Sequence, residues 1–146
     1  GCRTPFLKSD NAGMKFTAAD LAVNAGRSLL LRQNFSRNDL DEVIFGCVMP
    51  SVDEANIARV IALRLGCSAS IPAWTVQRNC ASGLQALDSA AQSISQGRAE
   101  LILAGMEIVG ETTIDVRRTI ERWPGQGGYQ KVDGDPPRRT RASVWR

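Results

Sequence analysis

The sequence predicts an α/β fold, a mostly parallel sheet with helices on both faces. Three observations carry this expectation. The runs Glu42–Met49, "EVIFGCVM", and Ala99–Ala104, "AELILA", are nearly continuous apolar stretches, as in strands covered on both sides. Segments with apolar residues at helical spacings of three and four stand before and between them. The helical intervals are long enough for the crossover connections that parallel neighbours require.

Each element has its own signal. Thr17 followed by Asp20 resembles a capping box and opens a helix. Leu21, Ala25 and Leu29 mark one face of it, running to about Gln33. The polar stretch "FSRNDLD" separates it from the strand Glu42–Met49. Pro50 and Ser51 break that strand, and Asp53 is expected to cap a second helix. Ile57, Ile61 and Leu65 form its apolar face, and Gly66 ends it. "CSASIP" reads as a loop, Ala73–Gln77 as a short strand. Cys80 is then expected to begin a third helix with Leu84, Leu87, Ala91 and Ile94 as its apolar positions. Gly97 stops it, and Ala99–Ala104 forms the last buried strand. Beyond Gly110, "ETTIDVRRTIERW" is expected to make a short helix with Ile114, Val116 and Ile120 as a poor apolar face. Seven of the last 23 residues are Gly or Pro, with basic residues at the end, so this segment is expected to be disordered.

Composition narrows the function classes. The 146 residues are 43% hydrophobic and 23% charged, values typical of a soluble domain with a real core. No apolar run approaches the roughly 18 residues of a membrane span, and no secretory h-region is visible. The absence of an initiator Met suggests that the true start lies upstream. The net charge of +3 resides entirely in the last quarter. Residues 1–110 hold ten basic and ten acidic residues, whereas residues 111–146 hold eight and five. A neutral body with a basic tail is no nucleic-acid face. Cys2, Cys47, Cys67 and Cys80 form no CxxC pair and the chain has no histidine, so no metal site is expected. Reduced thiols place the chain in a cytoplasmic compartment, with three of them as small buried side chains.

Cys80 stands apart, in the stretch Thr75–Leu87, "TVQRNCASGLQAL". A thiol at a strand-to-helix turn meets the unpaired N–H groups and positive end of the helix dipole, which favour thiolate. Those N–H groups can also hold an oxyanion after attack on a carbonyl. Asn79 and Ser82 are expected to add polarity there, and Gly83 to leave room for an acyl group. Spacing alone leaves the other reading open, a structural cysteine at the start of a buried helix.

Five segments, in order, resemble the N-terminal half of the thiolase family. They are "RTPF" at Arg3–Phe6, "LDEVIFGCVMP" at Leu40–Pro50, "NIARVIALRLG" at Asn56–Gly66, "VQRNCASGLQAL" at Val76–Leu87, and "GRAELILAG" at Gly97–Gly105 with Met106 and Glu107. The resemblance implies the N-terminal half of a thiolase-like fold with its first strand nearly absent. It divides the chain into a partial thiolase domain, 1–107, and an unmatched basic tail, 108–146. It implies that Cys80 is the nucleophile carrying the acyl group as a thioester. The reaction would be thiolytic cleavage of a 3-oxoacyl-CoA to acetyl-CoA and a shortened acyl-CoA, or the reverse Claisen condensation. The wording "RNCASG" favours the fatty-acid β-oxidation type. Coenzyme A is then a substrate, no cofactor is required, and the full-length family implies a homodimer or homotetramer. Arg3, Asn56 and Arg59 are expected to hold loops, and Gly83 and Gly105 to serve backbone geometry.

The chain also departs from the family. Its remaining catalytic parts are a histidine, a second cysteine and an Asn-containing oxyanion site, all from a second half. This chain has no histidine. Only Gly105, where the family has two glycines, precedes Met106-Glu107, and no family segment is legible from about Ile108. A frameshift would account for both. The chain by itself is therefore expected to be inactive. The alternatives are a non-catalytic truncated paralogue or interaction fragment, and another thiolase-fold condensing enzyme of the ketoacyl synthase kind.

Overall fold

The structure, a computed structural model, describes residues 1–4, 16–108 and 111–118. Thr17 caps α1 (Ala18–Leu30) with a full capping box: its Oγ1 accepts from Asp20 N, and Asp20 Oδ2 accepts from Thr17 N at 3.0 Å. After a 3-10 turn at Arg37–Asp39 comes strand β2 (Glu42–Cys47), following the two-residue β1 (Cys2–Arg3) in chain order. Helix α2 (Ile57–Leu65) ends on Gly66, whose φ of 79° is left-handed and therefore suits a residue without Cβ. Strand β3 (Ala73–Val76), helix α3 (Ser82–Ser95), strand β4 (Leu101–Ile108) and strand β5 (Glu111–Arg118) complete the order.

The five strands form one sheet in the order β1-β5-β4-β2-β3. β2 is parallel to both β3 and β4, with Val43 opposite Ala73 and Leu103. β5 runs antiparallel to β4 and to β1, so the sheet is mixed and mostly parallel, as the sequence predicts. The chain steps from β2 through α2 to β3 on one side, then through α3 back across β2 to β4. Crossovers of one hand that reverse direction place their helices on opposite faces. The core divides accordingly. Val43, Phe45, Cys47, Leu101 and Leu103 pack with α1 and α2, whereas Ile44, Ile102 and Ala104 pack with α3. Both runs are continuously apolar because each alternate side chain meets a helix layer.

Four expectations are corrected. The stretch Glu111–Arg118 is a strand, not part of a helix. Its Thr112, Thr113, Ile114 and Val116 are β-branched and lose rotamer freedom in a helix, and β4 offers a partner edge. Asn56, not Asp53, caps α2: its Oδ1 accepts from Arg59 N at 3.3 Å, while Asp53 lies in a 3-10 turn at Val52–Glu54. Helix α3 begins at Ser82, two residues after Cys80. Its inner face is a stripe of small residues, Ser82, Gly83, Ala86 and Ala90, with Ile94 at its end, while Leu84 is 59% exposed. Small side chains let this helix approach the sheet closely, which the larger leucines would prevent. Pro5 and Phe6 of the "RTPF" segment and the tail beyond Arg118 lie outside the described residues. Among those described, no helix is long and apolar enough to cross a membrane.

Candidate active site

The chain leaves β2 toward α2 on one face and leaves β3 toward α3 on the other. Adjacent parallel strands whose connections part this way open a crevice at their carboxyl ends, the usual ligand position in α/β folds. Cys80 lies in the loop that follows β3, and it is exposed. Gln77 Nε2 donates to the Val48 carbonyl at 3.1 Å, tying the loops after β3 and β2 together across that crevice.

The backbone before the thiol is unusual. Asn79 has a φ of 48°, the one non-glycine residue with positive φ among the described residues. Asparagine tolerates this left-handed region better than most side chains. The turn is held from both sides. Ala81 N donates to the Arg78 carbonyl and Ser82 N to the Asn79 carbonyl, each at 3.0 Å. Ser82 Oγ accepts from Arg78 N at 2.8 Å and donates to the Asn79 carbonyl at 2.6 Å. Arg78 Nη1 donates to Gln85 Oε1 at 2.7 Å, fastening the loop to the first turns of α3. The polarity expected of Ser82 at this turn is spent on the turn itself: the residue is 1% exposed and its hydroxyl is bonded to Arg78 N and the Asn79 carbonyl.

Two glycines set how closely the layers meet beneath this loop. A Cβ on Gly46 of β2 would overlap the Ser82 carbonyl group and lie 2.7 Å from Gly83 N. A Cβ on Gly83 would lie 2.6 Å from Met106 Cβ and 2.7 Å from its Cε. Gly83 thus serves helix-to-strand contact with β4, and the expected space for an acyl group is not what it provides. Gly46 was legible only as part of an apolar strand; nothing in its spacing marks it as the floor of a site. Ala81, the N-cap of α3, makes no side-chain cap. The first-turn N–H groups of α3 after Ser82, whose own N–H is donated to the Asn79 carbonyl, thus have no capping side chain over them.

The other residues singled out in sequence have structural work. Asn56 Nδ2 donates to the Ala73 carbonyl at 3.1 Å, and its Oδ1 accepts from Thr75 Oγ1 at 2.9 Å. Arg59 donates through Nη1 to the Ile71 carbonyl and through Nη2 to the Ala69 carbonyl, both at 2.9 Å. Asn56 ties the start of α2 to β3, Arg59 fixes the loop between α2 and β3, and Arg3 Nη1 donates to the Thr4 carbonyl at 3.2 Å. Glu54, missed in the sequence, is only 6% exposed and accepts from Thr17 Oγ1 at 2.9 Å, with Arg64 3.5 Å away. Cys47 and Cys67 are buried and Cys2 is intermediate. Burial raises the Cys67 thiol pKa above 9.0, against a smaller opposing effect of the nearby Arg37 charge. Cys80 is thus the most accessible thiol of the four; Cys47, at the end of β2, shares its end of the sheet but is buried.

Comparison with known proteins agrees with this geometry. A model of the thiolase N-terminal domain matches residues 1–133, and so takes in β5 as well as the Cys80 loop. The chain is 36% identical over 105 residues to a 3-ketoacyl-CoA thiolase of Pseudoalteromonas translucida, covering 72% of this chain and 24% of that one. It is 35% identical over 123 residues to the mitochondrial trifunctional enzyme subunit beta of Rattus norvegicus, covering 84% and 26%. The crystal structure of the Bacillus anthracis acetyl-CoA acetyltransferase superposes with a TM-score of 0.60 at 38% identity, covering 63% of this chain and 23% of that one. The chain spans about a quarter of the length of the curated relatives it matches.

Proposed function

The chain belongs to the thiolase family, and on that premise we infer that it supplies the nucleophile-bearing part of a thiolase-type acyltransferase. The observation that carries this reading is Cys80, an exposed thiol on a pinned left-handed turn at the carboxyl end of the parallel strands β2 and β3. The Cys80 Sγ attacks the C3 carbonyl of a 3-oxoacyl-CoA. The bond between C2 and C3 then breaks, leaving the acyl group on sulfur as a thioester and releasing acetyl-CoA once C2 is protonated. Free CoA next attacks that thioester, forming the shortened acyl-CoA and restoring the thiol. The uncapped first turn of α3 offers N–H donors for the developing oxyanion. The relatives' names, 3-ketoacyl-CoA thiolase and trifunctional enzyme subunit beta, support the degradative direction. Acyl-CoA and CoA are then the substrates, no further cofactor takes part, and the assembled enzyme is a cytoplasmic homodimer or homotetramer.

Because this chain contains no histidine to take the thiol proton, it performs no complete cycle by itself. Two measurements test the reading. Timed iodoacetamide labelling with peptide mapping is expected to modify Cys80 first, then Cys2, with Cys47 and Cys67 protected in the folded chain. Labelling of Cys2 ahead of Cys80 would remove Cys80 as the nucleophile. Acetoacetyl-CoA cleavage by residues 1–146 is expected to stay at the uncatalysed rate, and CoA-dependent cleavage would overturn the need for a second half.

A further inference from the structure

Packing against the sheet asks only for a small residue at Ser82, and helix capping does not explain its hydroxyl. It follows the N-cap by one residue, so it cannot accept from the second or third helical N–H as a capping side chain does. Instead it reaches back along the chain past Cys80, accepting from Arg78 N at 2.8 Å and donating to the Asn79 carbonyl at 2.6 Å. Those two groups belong to the residues immediately before the thiol. The Asn79 carbonyl also accepts from Ser82 N at 3.0 Å, so one residue grips the turn through both its backbone and its side chain.

The location of this grip matters. Ser82 is 1% exposed and lies under the loop, with the missing Cβ of Gly46 leaving room for its carbonyl against β2. Cys80, two residues earlier, is exposed. A left-handed φ at a non-glycine residue costs on the order of 1 kcal/mol and persists only where surrounding structure holds it. Here the holding groups are the Ser82 hydroxyl and the Arg78 and Asn79 backbone. Without the hydroxyl, Arg78 N loses the acceptor the turn provides, and the turn loses its shortest bond.

We propose that Ser82 is the positioning residue of the nucleophile, its buried hydroxyl locking the Arg78–Asn79 turn so that the Cys80 thiol stays presented at the mouth of the crevice. This rests on the reading of Cys80 as the acyl-carrying nucleophile. Ser82 touches no substrate. It acts through the backbone conformation at Asn79, and a side chain that keeps the hydroxyl keeps the function.

The test compares the full chain with Ser82→Ala, Ser82→Thr and Ser82→Val, using iodoacetamide as the probe. The readout is the ratio of the labelling rates at Cys80 and Cys2 in the same molecule, with Cys47 and Cys67 as internal reporters of folding. Ser82→Ala is expected to lower the Cys80 to Cys2 ratio on the order of five- to tenfold, since small displacements of a reacting group carry large rate costs. Thr and Val differ by a hydroxyl at constant shape, so Ser82→Thr should restore the ratio and Ser82→Val should not. Amide hydrogen exchange at Arg78 should accelerate in the Ala and Val variants alone. Equal ratios for Thr and Val, or an unchanged ratio in Ser82→Ala, would overturn the proposal. So would labelling of Cys47 and Cys67 in all three variants, which would assign Ser82 to folding alone. A wild-type chain in which Cys80 reacts no faster than Cys2 would instead count against Cys80 as the nucleophile.

Discussion

Replacing Gly46 by alanine adds one methyl group where β2 passes beneath the start of α3. That methyl would overlap the Ser82 carbonyl group and lie 2.7 Å from Gly83 N. All these atoms are backbone, so no rotamer change relieves the clash; the helix must move away from the sheet. Overpacking a tight core costs about 1–3 kcal/mol, and a backbone neighbour places this case near the upper end. Alanine recovers about 0.5–1 kcal/mol by restricting the unfolded chain, leaving a net loss of about 2 kcal/mol. Gly97→Ala is the control. It meets nothing within 4 Å, so its φ of 68° alone makes it cost about 1 kcal/mol. Urea unfolding followed by far-UV circular dichroism measures both, and iodoacetamide labelling in the native state reports the Cys80 turn. Gly46→Ala should have the lower midpoint and an altered Cys80 labelling rate, with Gly97→Ala keeping the wild-type rate. A Gly46→Ala midpoint at or above that of Gly97→Ala would refute the claim that the α3 start is pressed against β2.

Two further outcomes follow from the same geometry. Asn56→Ala removes the α2 cap, the donor to Ala73 and the acceptor for Thr75, and should cost about 2 kcal/mol in urea unfolding; Asn56→Asp keeps the cap and acceptor but not the donor, and should lie between. The Cys67 thiol has its pKa raised by burial, so above 9.0 the unfolded chain sheds this proton more readily than the folded one. Stability tied to this group is thus complete below the ordinary thiol value and declines as pH rises past it toward the raised one. Cys67→Ala should flatten that alkaline decline in a series of urea midpoints, and an unchanged slope would show that another group causes it.

The order of elements was legible because local rules and tertiary packing agree along most of the chain. Thr17 and Asp20 form the capping box their spacing announces, and Gly66 takes the left-handed end of α2. The two continuous apolar runs became strands with a helix layer on each side. Cys80 was legible as a presented thiol because a strand signal stops just before it and a helix signal starts just after. The misreadings share one cause. Glu111–Arg118 carries β-branched residues that disfavour a helix, and pairing with β4 made it a strand. The leucines of α3 suggested a buried face, yet the closeness of β2 and β4 selected the Gly-Ala stripe and turned Leu84 outward.

By itself, then, the sequence determined the fold class and the family and singled out Cys80, since each depends on residue type and short spacing. Tertiary structure decided how the turn before Cys80 is held. The grip of Ser82 on Arg78 and Asn79 is local in sequence, but the hydroxyl is committed to it because Gly46, 36 residues earlier, lets α3 settle against the sheet and shuts water out. Hydrogen-bond propensity tells which groups can pair; only the packed layers exclude the solvent that would otherwise compete for them.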